Sequence, residues 1–144
     1  MTGARTVVQL DGRAKVLRPL PSHARAAAIL HGLELYERGE AFEAHEAWEP
    51  AWMGTADVAE RALVQGLIKL AAADVHAARG NPRGVARNLD GALDQMRDAH
   101  ATSASHAPGI TVDLTSLMDL VAARLSRAAA GETTPTIRIP WRPG

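Results

Sequence analysis

Between positions 42 and 52 the chain reads Phe-Glu-Ala-His-Glu-Ala-Trp-Glu-Pro-Ala-Trp, and its densest chemistry lies there. His45, Glu46 and Glu49 have the spacing of a zincin helix, with Glu49 standing where that motif has its second histidine. An imidazole and a carboxylate four residues apart share one helix face and can ligate one ion. A glutamate next to the first ligand is placed as a general base, which makes Glu46 the candidate catalytic residue. His76 is the candidate third ligand. His45, Glu49 and His76 plus a water would make an open zinc site, that of a small metal-dependent hydrolase. The di-iron Glu-x-x-His signature is absent at both histidines. Metal-free acid–base chemistry is a second option, because a carboxylate beside a buried histidine holds its tautomer, but no nucleophile stands nearby. The third reading is architectural. In it His45, Glu49, Gln65, Lys69 and His76, with Trp48 and Trp52, form a satisfied polar seam between two helices. On that reading, truncating His45 or Glu49 costs about 1–3 kcal/mol by leaving a buried partner unpaired.

The surroundings favour burial of this run. Seven of the eight glutamates fall between Glu34 and Glu60, and four of the five aromatic residues between Tyr36 and Trp52. On a helical wheel at about 100° per residue, Trp48, Trp52, His45, Glu49, Phe42, Met53 and Glu46 cover one broad face. The other face carries Ala44, Ala47 and Ala51. Gln65, Lys69, Ala72 and His76 form a narrow stripe on a second helix, whose apolar face holds Leu63, Leu67, Leu70 and Ala71. That stripe fits an inward seam and a solvated face equally well. Glu34, Glu37, Glu40 and Glu43 read as solvated, and His23, His31, His100 and His106 as surface residues without partner spacing.

Helices must position these groups. Ser22 is the expected N-cap of a first helix over 22–38, with Ile29, Leu33 and Tyr36 as its apolar stripe and Gly39 as its stop. A second helix starts near Glu40, and Pro50 is expected to kink or break it. Asp57 and Glu60 read as a capping pair opening a third helix to about residue 79. Asn81-Pro82 restarts the chain as N-cap and first helical residue of a fourth, over 82–100. Residues 101–110 read as a loop, 113–130 as a fifth helix, and Ile137–Trp141 as an extended tail docked on this subunit or a neighbour. Arg38-Gly39-Glu40 and Arg79-Gly80-Asn81 form a weak repeat, and the first hairpin looks like a tetratricopeptide unit. The fold class is therefore all-α: a compact bundle of about five helices, built from two stacked helical hairpins plus a C-terminal helix and an extended tail. An irregular arm over 1–20, with a short strand at Thr6–Leu10, precedes the helical domain over 21–131. The tail covers 132–144.

Composition narrows the function classes. With no cysteine there is no thiolate zinc site, no disulfide and no cysteine nucleophile, which fits a cytoplasmic protein. A net charge of zero argues against nucleic acid as a partner, and no apolar run is long enough for a membrane span. The run at 42–49 with Trp52, followed by Gln65-Gly66-Leu67-Ile68-Lys69-Leu70-Ala71, His76 and Gly80-Asn81, resembles an uncharacterised prokaryotic helical family, domain of unknown function 309. The resemblance covers about residues 27–97 and carries the family pattern onto His45, Glu46, Glu49, Trp52, Gln65, His76, Gly80 and Asn81. Lys69, where glutamine is common, and Pro50 depart from it, and a lysine there weakens a metal reading that uses that position. The resemblance implies an all-helical fold with the two blocks facing each other, and no activity. Two function classes follow: a non-catalytic helical module for a protein partner or a homo-oligomer, and the hydrolase, with a divalent transition metal such as zinc as cofactor.

Overall fold

A computed structural model of the chain describes residues 5–9, 12–102 and 106–144. Five helices dominate it: α1 (Ser22–Glu37), α2 (Ala41–Met53), α3 (Val58–Ala78), α4 (Pro82–Ala101) and α5 (Leu114–Ala129). Helices α1 and α2 form one hairpin and α3 and α4 a second; α2 packs on α3, and α5 closes the bundle against α4. Two small antiparallel sheets flank it. In the first, β1 (Arg5–Val8) pairs with β2 (Ala14–Leu17), Arg5 opposite Leu17. In the second, β4 (Ile110–Val112) lies between β3 (His106–Ala107) and β5 (Trp141–Pro143).

Both hairpin turns have one cause. Gly39 (φ 81°) and Gly80 (φ 66°) adopt the left-handed conformation that ends α1 and α3. The next amide reaches back five residues in each, from Glu40 to the Leu35 carbonyl and from Asn81 to that of His76. Helix starts are capped by side chains where the sequence offers them. Asp57 Oδ1 accepts from the amides of Ala59 and Glu60, and Asn81 Oδ1 from that of Gly84.

Several expectations are corrected. Ser22 does not cap α1; it is the first helical residue, and the Pro21 carbonyl takes the first amides instead. Glu60 does not close a capping box, because its carboxylate turns to Arg25, 2.8 Å away. Pro50 neither breaks nor ends α2, which continues to Met53. Pro50 is exposed, so water can replace the bond it denies the Glu46 carbonyl. Within the expected irregular arm, Arg5–Val8 pairs with Ala14–Leu17 as two antiparallel strands, and within the expected loop His106–Ala107 and Ile110 are strand residues. The tail does dock on its own subunit: β5 pairs with β4, and the Trp141 indole donates to Glu37 Oε2 at 3.1 Å. The expected strand residue Leu10 lies outside the described residues.

The core runs between the hairpins through Ile29, Leu33, Trp48, Leu63, Leu67, Leu70, Leu89, Met96 and Leu117, all fully buried. Each large side chain removed from water contributes roughly 1.5–3 kcal/mol.

Candidate functional site

Trp48 sets the rotation of α2. It is fully buried, its Nε1 donates to the Ile29 carbonyl at 3.0 Å, and its ring lies against the bare backbone of Gly32. With Trp48 inward, Ala44 and Ala51 face the core too. His45, Glu49 and Trp52 form the next stripe round the helix and fall at the boundary between core and solvent. Phe42, expected on the packed face, is 54% exposed, because the inward side of α2 is the small one apart from Trp48.

The boundary stripe meets the polar stripe of α3. His45, Glu49 and Trp52 from α2 and Gln65, Ile68, Lys69 and Ala72 from α3, with Asn88 of α4, line an open cavity of about 200 Å³. His45 Nδ1 stands 3.2 Å from Glu49 Oε1, but it is buried and not aligned with any hydrogen-bond partner among the described residues. Gln65 Oε1 is likewise buried without a partner among the described residues. An imidazole nitrogen and an amide oxygen thus reach this region unsatisfied, beside a carboxylate; groups in that state call for a donor or a cation. One ligand atom from each of His45, Glu46 and Glu49 can be chosen so that all lie within 4.8 Å of one another, close enough to share an ion. His45 and Glu49 are partly exposed and Glu46 is on the surface, so an ion reaches them from solvent.

His76 is not part of this arrangement. It stands one turn beyond Ala72, outside the residues lining the cavity. Its ring lies over Gly84, with Nδ1 3.1 Å from Asn81 Nδ2. Lys69 rests in the same way on Gly91, where a Cβ would come within 2.9 Å of its Cδ. Positions 69 and 76 on α3 and 84 and 91 on α4 are each seven apart, so two glycines of α4 receive two long side chains of α3. The stripe on α3 is therefore half-buried along its length: its upper part joins α2, and its lower part lies on α4.

Three buried charged groups were missed. Arg61 is fully buried and has no carboxylate partner among the described residues. It donates to the carbonyls of Trp52 (2.9 Å) and Thr55 (3.2 Å) and to Gln9 Oε1 (3.2 Å), with the guanidinium 4.8 Å from the Trp52 ring centroid. Burial pushes its pKa below the ordinary guanidinium value. Asp74 and Arg124 form a buried pair at 2.7 Å between α3 and α5. A signal existed for all three. Arg61 is three residues before Val64, Asp74 four after Leu70, and Arg124 three after Val121, so each lies on the apolar stripe of its helix.

Residues 29–88 match the family described as Domain of unknown function (DUF309). The chain resembles DUF309. No curated protein and no solved structure matches it. The DUF309 match runs from the middle of α1 into α4 and ends at Asn88, so all the residues lining the cavity fall within it. Gly91, the α5 helix and the tail lie beyond the DUF309 segment.

Proposed function

We propose that this protein is a non-catalytic helical module that binds a divalent transition metal, zinc foremost, through His45, Glu46 and Glu49. The observation that carries this reading is the grouping of the three ligand atoms within 4.8 Å, with His45 Nδ1 buried and lacking an aligned partner. One nitrogen and two carboxylate oxygens suit zinc and leave a coordination position open. The hydrolase alternative draws less support. It needs Glu46 free as a base, whereas Glu46 belongs to the ligand group, and it needs His76, whose ring lies over Gly84.

The test is calorimetric titration of tag-free protein with zinc and with manganese, alongside thermal melting. Wild-type protein binds close to one equivalent of zinc and melts higher in its presence, because an ion that binds only the folded state stabilises it. Glu49→Gln loses that rise. Its metal-free melting changes little, since a partly exposed His–Glu contact contributes about 0–1 kcal/mol. Less than about half an equivalent of metal, with no thermal shift, would overturn the proposal.

Association with a protein partner or a second copy is the companion reading, and Phe42, exposed at the start of α2, is the residue at which it can be probed. Sedimentation of wild-type protein against Phe42→Ser tests it. A strictly monomeric wild type with no co-purifying partner would remove its support.

A further inference from the structure

The three-ligand group leaves Gln65 out, although its oxygen is in the same state as the nitrogen of His45. Among the described residues five buried side-chain atoms have no hydrogen-bond partner. Three belong to Asp74 and Arg124, opposite charges that already meet at 2.7 Å. The other two are His45 Nδ1 on α2 and Gln65 Oε1 on α3, and their residues line one cavity together with Glu49. We propose that Gln65 Oε1 is a further ligand of the ion, which thereby ties the first helical hairpin to the second; this rests on the metal site proposed above.

The region is short of hydrogen-bond donors. An amide oxygen and a carboxylate only accept. A proton on His45 Nδ1 would go to Glu49 Oε1, 3.2 Å away, but the two are out of line, so the nitrogen presents its lone pair. Three acceptors then share one cavity, more than a single water can donate to. Lys69 does not serve them. Its stem rests on Gly91, its ammonium is not buried, and it makes no hydrogen bond or ion pair among the described residues. Asn88 turns its amide nitrogen to the Gly84 carbonyl at 2.8 Å. A cation takes electron pairs from all three acceptors at once. Glu46, exposed and outside the cavity lining, meets the ion from solvent, and Gln65 meets it from the buried side. The amide oxygen takes the position that His45, Glu46 and Glu49 leave open. Four protein ligands make a closed site of the structural kind. His45, Glu46 and Glu49 lie on one turn of α2, so an ion held by them alone links nothing; an oxygen from α3 makes it a link between hairpins.

Zinc titrations of full-length wild type, Gln65→Leu and Gln65→Glu, each paired with melting of the metal-free protein, test this. Gln65→Leu is expected to lose about tenfold or more in zinc affinity, since even groups that only orient a ligand are worth that much. Its metal-free form melts no lower than wild type, because an apolar side chain of similar size replaces an unsatisfied buried oxygen. A glutamine kept for its hydrogen bonds would show the reverse, lower metal-free melting with unchanged zinc affinity. Gln65→Glu keeps an oxygen ligand and binds zinc at least as tightly as wild type. A reading on wild type alone needs no variant to fold. The chain has three glutamines, Gln9, Gln65 and Gln95. In nitrogen-15 spectra zinc is expected to shift the side-chain amide of Gln65 and to leave those of Gln9 and Gln95 in place. Wild-type zinc affinity in Gln65→Leu, or a Gln65 amide signal that zinc does not move, would overturn this proposal and leave the three-ligand site standing. No zinc binding by wild type would overturn both.

Discussion

At the scale of single residues, the contact between Gly32 and Trp48 governs where the candidate site points. A Cβ added at Gly32 would fall inside the Trp48 ring, and that ring is fixed by its bond to Ile29 and by Tyr36, whose ring centroid is 6.1 Å away. Gly32→Ala must therefore move α2 or eject the indole. It is expected to destabilise the protein by about 3 kcal/mol, the upper part of the range for overpacking a core. Urea unfolding measures this, and an unchanged midpoint would mean that Trp48 does not hold α2. His45 and Glu49 behave differently. Partly exposed and poorly aligned, they contribute less to stability than the 1–3 kcal/mol expected of a buried seam. Their unsatisfied atoms are of more consequence for binding than for folding.

At the scale of elements, α5 shows how a cap couples stability to pH. Asp113 accepts from the Ser116 amide through Oδ1 at 3.1 Å and from the Ser116 hydroxyl through Oδ2 at 2.8 Å. Both bonds favour the charged carboxylate and hold its pKa below the ordinary aspartate range. A depressed folded-state pKa gives a contribution that is complete above the unfolded value, about 3.9, and is lost as pH falls through the lower folded value. The melting temperature of wild type relative to Asp113→Asn is thus expected to fall as pH drops from about 4 toward 2. A difference that stays constant across that window would show that the cap does not depend on charge. Elsewhere the elements are joined by backbone. The Arg18 amide bonds to the Met53 carbonyl and that of Leu20 to Gly54, fastening the segment after β2 to the end of α2, where Arg61 also reaches in.

At the scale of the molecule, the Asp74–Arg124 pair joins α3, α5 and the tail. Thr136 Oγ1 lies 3.4 Å from Asp74 Oδ1, and Arg124 Nε donates to Thr134 Oγ1 at 2.9 Å. Tyr36 of α1 donates to the Ile137 carbonyl at 2.9 Å, and burial, then the nearby Asp74, hold its phenol far above the usual tyrosine pKa. Removing one partner of a buried pair leaves the other charge uncompensated, so Arg124→Met is expected to cost about 3–5 kcal/mol. The double variant Asp74→Asn/Arg124→Met is expected to recover part of that loss, because neither charge then remains buried. Denaturant unfolding of the single and double variants checks it. Equal or greater loss in the double variant would show that other contacts bind the tail.

Local chemistry alone determined the helices of this protein. Gly39 and Gly80, the caps at Asp57 and Asn81, and apolar residues recurring at helical spacing are written within a few residues of where they act. The grouping of His45, Glu46 and Glu49 was legible for the same reason, since one turn of one helix holds all three. The tertiary structure decided which groups on other helices face them. Gln65, Lys69 and His76 share a stripe, yet only the first two meet α2, because the α3–α4 crossing turns His76 onto Gly84. Spacing along one chain segment cannot specify that, because the contact depends on how two helices cross and which of their positions lack a side chain.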